Sequence, residues 1–287
     1  MKTTETLSRN TEATADSLAA MIKRELTTFS FDDDGRYLYL NNPSDPTMIT
    51  ADDRMALVDW CYAVVDHFQF SRQTVASAME MVDRFLSMPS DSVDAARVSN
   101  EALTDQSKFQ LLTITALYLA IKVNEAIVIS SDLFAKICFG VYTVEEIEDM
   151  ERTLLSGLSW RCHAPTAHQI GLSILSLILP YVDIPEVTWG FFMDEMKYLT
   201  ELAVREYYFS TQRTSTVALA AILNASNELD FKPRQDFMKV LSSIYVDFGF
   251  GDIDRLIVCK NKLASLIDDA SVIVCEHEEE VFDRTHH

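Results

Sequence analysis

One stretch of this 287-residue chain limits its possible folds more than any other: the run FQLLTITALYLAIKVNE, from Phe109 to Glu125. Its apolar residues leave no polar stripe, and the run is too long for an ordinary strand. A helix that is apolar on all sides must be enclosed by other helices or cross a membrane. The apolar part covers only about a dozen residues before Lys122, whereas a bilayer needs about 20. The run therefore predicts the central helix of a helical domain.

Lys122 lies in the last turn of this predicted helix. The carbonyl end of the helix dipole favours a cation there, but this lysine directly follows positions that we expect to be buried. It therefore needs a carboxylate partner, unless its apolar stem lies along the core with the ammonium group in water. From this stretch alone, we favour the second interpretation.

Two series of five predicted helices flank Pro165. Helices of the first series begin near Thr50, Ser71, Phe109, Ser130 and Thr143, with a polar loop from Ser90 to Gln106. Helices of the second series begin near Thr166, Pro185, Ser215, Phe237 and Ile253. The residues that predict helix capping are Thr50 with Asp53, Thr143 with Glu146 and Thr166 with Gln169. The third helix of each series has the same apolar character, which suggests a duplicated five-helix unit.

We therefore expect an all-α protein with two tandem five-helix domains, at residues 49–163 and 164–270, each around a buried central helix. Residues 1–48 predict a loose tail, a short amphipathic helix from Leu18 to Phe29 and a linker from Phe31 to Pro46. The DDDG sequence in this linker is interpreted as a turn, because it lacks the ligand spacing of a calcium loop. Residues 271–287 predict an acidic, unpacked tail.

The charge and the cysteines exclude several classes of protein. A formal net charge of -20 argues against a nucleic-acid partner and favours basic protein partners. The five cysteines are odd in number and show no CxxC spacing, so they predict neither a disulfide framework nor a zinc ribbon. The first residues lack the apolar segment of a signal peptide, and no later run has membrane length. We expect a soluble protein of the nucleus or cytoplasm with no membrane partner.

No catalytic constellation is present in the sequence. There is no glycine-rich phosphate loop, no GxSxG and no HExxH. The histidines His67, His163 and His168 have no metal-ligand partners at helical spacing, so they are interpreted as surface or core residues. We expect a binding protein without metal or cofactor rather than an enzyme.

Several short motifs together carry a family resemblance. The run from Arg54 to Trp60, RMALVDW, resembles the start of a cyclin box, and the run from Met81 to Ser87, MVDRFLS, is similar to the family's DRFLS signature. The central run, then Tyr142-Thr143 and Met150-Glu151, follow in the family's order, apart from a longer loop after Ser87. The sequence resembles cyclins strongly over residues 50–165 and more weakly in the second half.

The resemblance implies a non-catalytic regulatory subunit that binds and activates a cyclin-dependent Ser/Thr protein kinase, with a role in cell-cycle control. The lysine and glutamate with which cyclins meet the kinase fall on Lys122 and Glu151, which supplies the carboxylate partner for Lys122. Similarity places the kinase contact at Leu119, Lys122, Val123, Glu151, Leu155 and Trp160. The alternative is that Leu119, Leu155 and Trp160 are ordinary core residues. For Leu158 we favour the core.

Two departures from the family pattern concern binding. The family's KxEE-like sequence is replaced by KVNE, from Lys122 to Glu125, so one acidic contact is lost. The patch through which cyclins dock kinase substrates falls on Asp53, Leu57 and Trp60, and its usual first residue is methionine rather than aspartate. These three residues either form a docking groove or belong to the core.

Two other functions stay open at this point. One is a transcription adaptor of the same fold, which bridges polymerase and promoter DNA; the acidic charge and the missing zinc ribbon count against it. The other is a helical scaffold protein without a kinase partner. Kinase activation would separate the last possibility from a cyclin.

Overall fold

The computed structural model describes residues 2–27, 39–40, 48–87, 92–127 and 129–267, whose secondary structure is helical with no strand. The helices of the first part of the chain are α1 (Lys2–Thr27), α2 (Ala51–His67), α3 (Gln73–Ser87), α4 (Val93–Ala102), α5 (Gln106–Asn124), α6 (Ser131–Ile137) and α7 (Val144–Gly157). Those of the second part are α8 (Ala167–Ile178), α9 (Glu186–Arg205), α10 (Tyr207–Ser210), α11 (Thr214–Ala225), α12 (Phe231–Phe248) and α13 (253–267). The all-α prediction is confirmed.

The chain forms two compact units. Unit A comprises residues Ala19–Gln169 and Ala203–Thr214. Unit B comprises residues Met1–Leu18, Ile170–Leu202 and Ser215–His287. The domain boundaries expected from the sequence, at residues 49, 164 and 270, stay predictions. The DDDG turn and the acidic tail lie outside the described residues.

Helix α5 forms the centre of unit A. Every residue from Leu111 to Ile121 is buried, and α2, α3, α4 and α7 pack around the helix. Asp105 caps its first turn and accepts hydrogen bonds from the N–H groups of Ser107 and Lys108. The prediction of an enclosed central helix is therefore confirmed, and its far end places Lys122 at the surface of the unit.

The loop predicted between Ser90 and Gln106 is wrong, because residues 93–102 form α4. Ser92 caps this helix, and its side chain accepts a hydrogen bond from the N–H of Ala95. Ala95, Val98 and Ala102 follow helical spacing and are buried against the unit. Their small side chains give a weak apolar signal, so the polar residues between them were interpreted as a loop.

Glycine allows a close approach between α7 and its neighbours α3 and α4. A β-carbon at Gly157 would lie 2.5 Å from Phe85 Cε2 and 3.1 Å from Ala95 Cβ. Any larger residue at Gly157 would therefore force these helices apart.

Two further predictions need correction. In α2, Cys61 and Val64 are buried as expected, but Phe68 is exposed and Leu57 is only half-buried, because the buried face is centred on Val58 and Val65. Helix α1 begins at Lys2, much earlier than Leu18. The first 27 residues contain neither glycine nor proline, so a helix formed at the apolar segment can extend through the polar one.

The ends of the helices in unit A use two recurring devices. The predicted capping pairs Thr50–Asp53, Thr143–Glu146 and Thr166–Gln169 all form reciprocal hydrogen bonds. Helices α2, α6 and α7 end with an N–H that donates five residues back: Phe70 to Val65, Gly140 to Ala135 and Trp160 to Leu155. The residue before each donor has a positive φ: Gln69, Phe139 and Ser159. This position usually favours glycine, so these turns hold ordinary residues under strain.

In unit B, helix α11 is the buried element. Ten of its twelve residues are buried, as predicted for the second central helix. Phe192 of α9 meets Phe237 of α12 with ring centroids 5.3 Å apart. No helix in the described part of the chain is both long enough and apolar enough to span a membrane.

The described cysteines are free thiols. Burial raises the pKa of the Cys138 thiol to about 11 and that of Cys259 to about 12. These thiols are therefore protonated at neutral pH and behave as core residues.

Candidate protein-interaction site

Lys122 and Glu151 form an ion pair between the end of α5 and the middle of α7. Lys122 Nζ lies 2.5 Å from Glu151 Oε1, and the two side chains are 37% and 13% exposed. Lys122 thus has the carboxylate partner that the resemblance supplied, while much of its side chain still faces solvent. The ammonium group can therefore donate to a partner protein without leaving Glu151, because it has three donors.

The Tyr118 ring lies next to the Lys122 ammonium group. The Lys122 ammonium nitrogen lies 4.8 Å from the centroid of the Tyr118 ring, and this ring stacks on Phe134 of α6 at a centroid distance of 4.8 Å. The Tyr118 hydroxyl donates to the carbonyl of Ile129 at 3.2 Å. Burial raises the pKa of Tyr118, so the hydroxyl stays protonated. The buried ring fixes the position of the lysine.

The predicted contact residues cluster around the ion pair. Leu119 lies one turn before Lys122, and Leu155 lies one turn after Glu151, so the ion pair brings their two helix faces together. Leu119 is buried in the core, Leu155 is half-buried, and Val123 is exposed. The core interpretation thus fits Leu119 and only part of Leu155.

Trp160 is displayed rather than buried. Its side chain is 76% exposed, and its backbone has a φ of 62°, directly after Ser159 with a φ of 50°. Its N–H donates to the carbonyl of Leu155 at 2.9 Å, which keeps the residue close to α7. The core alternative is wrong for Trp160, whereas Leu158 is in the core as we expected.

Asp53 is part of the structure of α2 as well as the first residue of the predicted docking patch. Its Oδ2 accepts from the backbone N–H and the hydroxyl of Thr50, both at 2.8 Å. Its Oδ1 accepts from Gln106 Nε2 at 2.9 Å, which links the starts of α2 and α5. Leu57 and Trp60 follow on the same helix face and are half-buried against the core. A polar bridge therefore occupies one end of the patch.

A second ion pair borders this patch. Arg205, at the end of α9, donates from Nε and Nη2 to the two carboxylate oxygens of Asp59 at 2.6 and 2.8 Å. Asp59 is the neighbour of Trp60 in α2. Local sequence patterns cannot predict this contact, because the two residues are 146 positions apart.

A buried polar cluster, which sequence reasoning missed, holds unit A together behind these surfaces. Arg54 donates to both carboxylate oxygens of Asp83, at 2.9 and 2.7 Å. Arg54 Nη1 also donates to the carbonyl of Val204 at 2.7 Å, and the Tyr39 hydroxyl donates to Asp83 Oδ1 at 2.7 Å. Burial alone would lower the pKa of Arg54, but the charge of Asp83 and its hydrogen bonds raise the pKa further than burial lowers it.

Glu125, the one acidic residue left in the KVNE sequence, is engaged within the chain. Its Oε1 accepts from the N–H of Ser71 at 2.9 Å and from the hydroxyl of Thr74 at 2.5 Å. Glu125 therefore ties the end of α5 to the start of α3. Asn124, at the other acidic position of the family's KxEE-like pattern, is exposed.

The chemistry of the site is that of binding. It combines one charge pair, a displayed indole and apolar side chains on a rigid helical support. Among the described residues, no group of three histidine, cysteine, aspartate or glutamate side chains is placed to hold a metal ion.

The model of the family "Cyclin, N-terminal domain" matches residues 17–163, which is just over half of the chain. Cyclin-A2-1 of Oryza sativa subsp. japonica is 27% identical over 182 residues, covering 63% of this chain and 34% of that protein. The G2/mitotic-specific cyclin-B3 of Homo sapiens is 22% identical over 268 residues, covering 93% and 17%. The chain thus spans about a third or less of these two relatives.

A solved structure gives the same fold. The viral cyclin from herpesvirus saimiri superposes with a TM-score of 0.56 at 14% identity, covering 76% of this chain and 87% of that one. The residues that the family model matches, 17–163, contain α2 to α7 and both predicted interaction surfaces. The chain therefore belongs to the cyclin family.

Proposed function

We propose that this cyclin binds and activates a cyclin-dependent Ser/Thr protein kinase through the surface around Lys122 and Glu151. The observation that carries the proposal is the partly exposed ion pair on α7, together with the displayed Trp160 that follows the same helix. A tryptophan that is fixed in a strained turn and left in solvent adds little to the stability of the fold. It offers a partner a large apolar anchor with little conformational entropy to lose.

The mechanism is positional and needs no chemistry in the cyclin. A protein kinase is active only when a lysine in its ATP site pairs with a glutamate on a mobile helix. A partner that binds the active position of that helix more tightly than the inactive one shifts the equilibrium toward activity. The rigid helices α5 and α7, joined by Lys122 and Glu151, are suited to act as the wall for such a helix.

A role in cell-cycle control is part of the proposal. Its support is the family membership and the similarity to the G2/mitotic-specific cyclin-B3 of Homo sapiens. We place kinase substrates at the patch of Asp53, Leu57 and Trp60, with weak docking because a carboxylate occupies one end.

The test is a panel of purified cyclin-dependent kinase subunits, each assayed for binding and for activity with this protein. At least one should be activated, and the Glu151→Lys variant should fail to activate it. Glu101→Lys is a matched control, because Glu101 pairs with Arg97 at 2.6 Å on the surface of α4. The melting temperature of Glu101→Lys should be near the parent's, since exposed pairs contribute about 0–1 kcal/mol. The melting temperature of Glu151→Lys is measured in the same experiment, because the Glu151 side chain is only 13% exposed.

Two outcomes would contradict the proposal. Activation by a folded Glu151→Lys protein equal to that of the parent would remove the ion pair from the kinase interface. Absence of binding to every kinase of the panel would favour the helical scaffold.

A further inference from the structure

The turn between α6 and α7 presents two apolar side chains to solvent. Phe139 is 91% exposed, and Val141 is also exposed. A β-carbon added at Gly140 between them would meet no atom within 4 Å, so the turn projects from the surface. We call residues 139–141 the knuckle. The fold does not need this phenylalanine for packing, because nearly all of the side chain is in water.

The backbone of the knuckle makes the phenylalanine more unusual. Phe139 has a φ of 55°, in the left-handed region, at the helix-terminating position where glycine has no steric cost. A bulky residue is strained in this conformation. A strained residue that adds nothing to packing is a reason to look for a function.

The knuckle is fixed to the core of unit A. The N–H groups of Phe139 and Gly140 donate to the carbonyls of Lys136 and Ala135, both at 3.0 Å. The buried Tyr142 follows, and its hydroxyl lies 2.9 Å from the Ser107 carbonyl and 2.9 Å from Gln110 Oε1. Such a surface is preorganised, so binding would order few further groups.

The charge around the knuckle indicates the chemistry of its partner. Residues 130–148 contain four carboxylates and one cation, and Glu145 is exposed in the first turn of α7. A second copy of this chain would be repelled, because the formal net charge is -20. A basic segment would be attracted.

The knuckle is separate from the surface around Lys122. It precedes the first turn of α7, whereas Trp160 follows the last. The 14 residues of α7 span about 20 Å between them. The ion pair lies between them, because Glu151 is seven residues, or about 10 Å along α7, from Val144. A partner helix that extends from the ion pair toward Trp160 would therefore leave the knuckle free.

We propose that the knuckle is a docking site for a basic segment of a partner protein that carries one large apolar residue. Phe139 and Val141 contact the apolar residue, and the carboxylates at the start of α7 attract the basic ones. This interaction goes beyond kinase activation and does not depend on it.

The test uses two short fluorescent peptides rich in arginine, which differ only in a central leucine or serine. By fluorescence anisotropy, the parent protein should bind the leucine peptide roughly tenfold more tightly, the effect of partly burying a leucine. Phe139→Gly should reduce this preference, with any remainder due to Val141 and to the docking patch around Leu57. Its melting temperature should equal or exceed the parent's because the strain is relieved. Val93→Ala, which alters another exposed apolar residue, should retain the preference.

The electrostatic part has its own variant. Glu145→Gln should weaken the binding of both peptides and reduce its salt dependence, with the leucine preference intact. Equal binding of the two peptides by the parent would overturn the proposal, since attraction would then be non-specific. A leucine preference that is as large in Phe139→Gly as in the parent, or a parent dimer that Phe139→Gly abolishes in sedimentation velocity, would also overturn it.

Discussion

Two ion pairs of unit A contrast in their surroundings. Arg54 and Asp83 are 2% and 4% exposed, and the cluster around them uses both carboxylate oxygens and a backbone carbonyl. Lys122 and Glu151 are joined by one contact and are 37% and 13% exposed. The first pair is closed to any partner, whereas the second has unused hydrogen-bonding capacity.

The comparison shows that two ion pairs in one fold can have different roles, which depend on their exposure to solvent. A buried pair is costly to break, because the remaining charge has no water. A partly exposed pair contributes less to folding, because water can replace part of the lost interaction. A charge pair is therefore informative about binding only when its exposure to solvent is known. Breaking the Arg54–Asp83 pair should mainly lower stability, whereas breaking the Lys122–Glu151 pair should mainly lower kinase affinity.

The largest expected effect is on folding. Asp83→Asn should lower the free energy of unfolding by about 3–5 kcal/mol, because Arg54 would lose its countercharge in the core. Urea denaturation measures the change. The matched control is Asp59→Asn, which breaks the exposed pair with Arg205 and should cost about 1 kcal/mol or less. Equal losses in the two variants would remove the contrast.

The next effect is on kinase affinity. In the double variant Lys122→Glu with Glu151→Lys, the pair can re-form within the fold but presents reversed charges to a kinase. Affinity should fall by roughly thirty-fold to several thousand-fold, or about 2–5 kcal/mol, with a melting temperature near the parent's. Isothermal titration with the activated kinase measures it. Restored affinity in the double variant would mean that the pair acts only within the cyclin.

Trp160, at the edge of the same site, should contribute to kinase binding but not to stability. Trp160→Ala should weaken kinase binding by about 2 kcal/mol, roughly thirty-fold, and leave the melting temperature unchanged. Leu119→Ala should have the opposite effect. Truncating this buried side chain should lower the free energy of unfolding by about 2–5 kcal/mol. A Trp160→Ala protein that binds normally would place the indole outside the interface.

The smallest effect concerns the docking patch. Asp53→Met should lose about 1 kcal/mol of unfolding free energy, since the capping box with Thr50 is broken. It should also bind a basic, leucine-containing docking peptide more tightly than the parent, because an apolar side chain replaces a carboxylate. Asp52→Met is the neighbouring control and should change neither property greatly. Equal or tighter peptide binding by the parent would place Asp53 outside the groove.

Local patterns in the sequence were sufficient for much of the fold. The capping pairs Thr50–Asp53 and Thr143–Glu146 connect residues three positions apart, and the apolar run of α5 is continuous, so neither needs tertiary information. The cyclin motifs added Glu151 as the partner of Lys122, which helical periodicity alone could not supply.

Long-range polar contacts could not be predicted in this way. Arg54 and Asp83 are 29 positions apart, and Arg54 reaches a carbonyl 150 positions away. Charged residues are usually exposed, so neither was a candidate for the core. The exposure of Trp160 could not be predicted either, because a tryptophan that follows a helix is often a core residue. The residue types around Trp160 also do not predict its left-handed backbone.

The contacts of Arg54 and Tyr39 have a consequence for the order in which the protein can fold during synthesis. Val204 supplies the carbonyl to Arg54, and the Tyr207 hydroxyl accepts from the N–H groups of Tyr39 and Leu40 at 2.9 and 3.0 Å. A nascent chain that has left the ribosome only as far as Pro165 therefore contains every cyclin motif, but not the groups that complete its buried cluster. We expect such a fragment to remain sensitive to proteolysis until residues 203–214 have emerged.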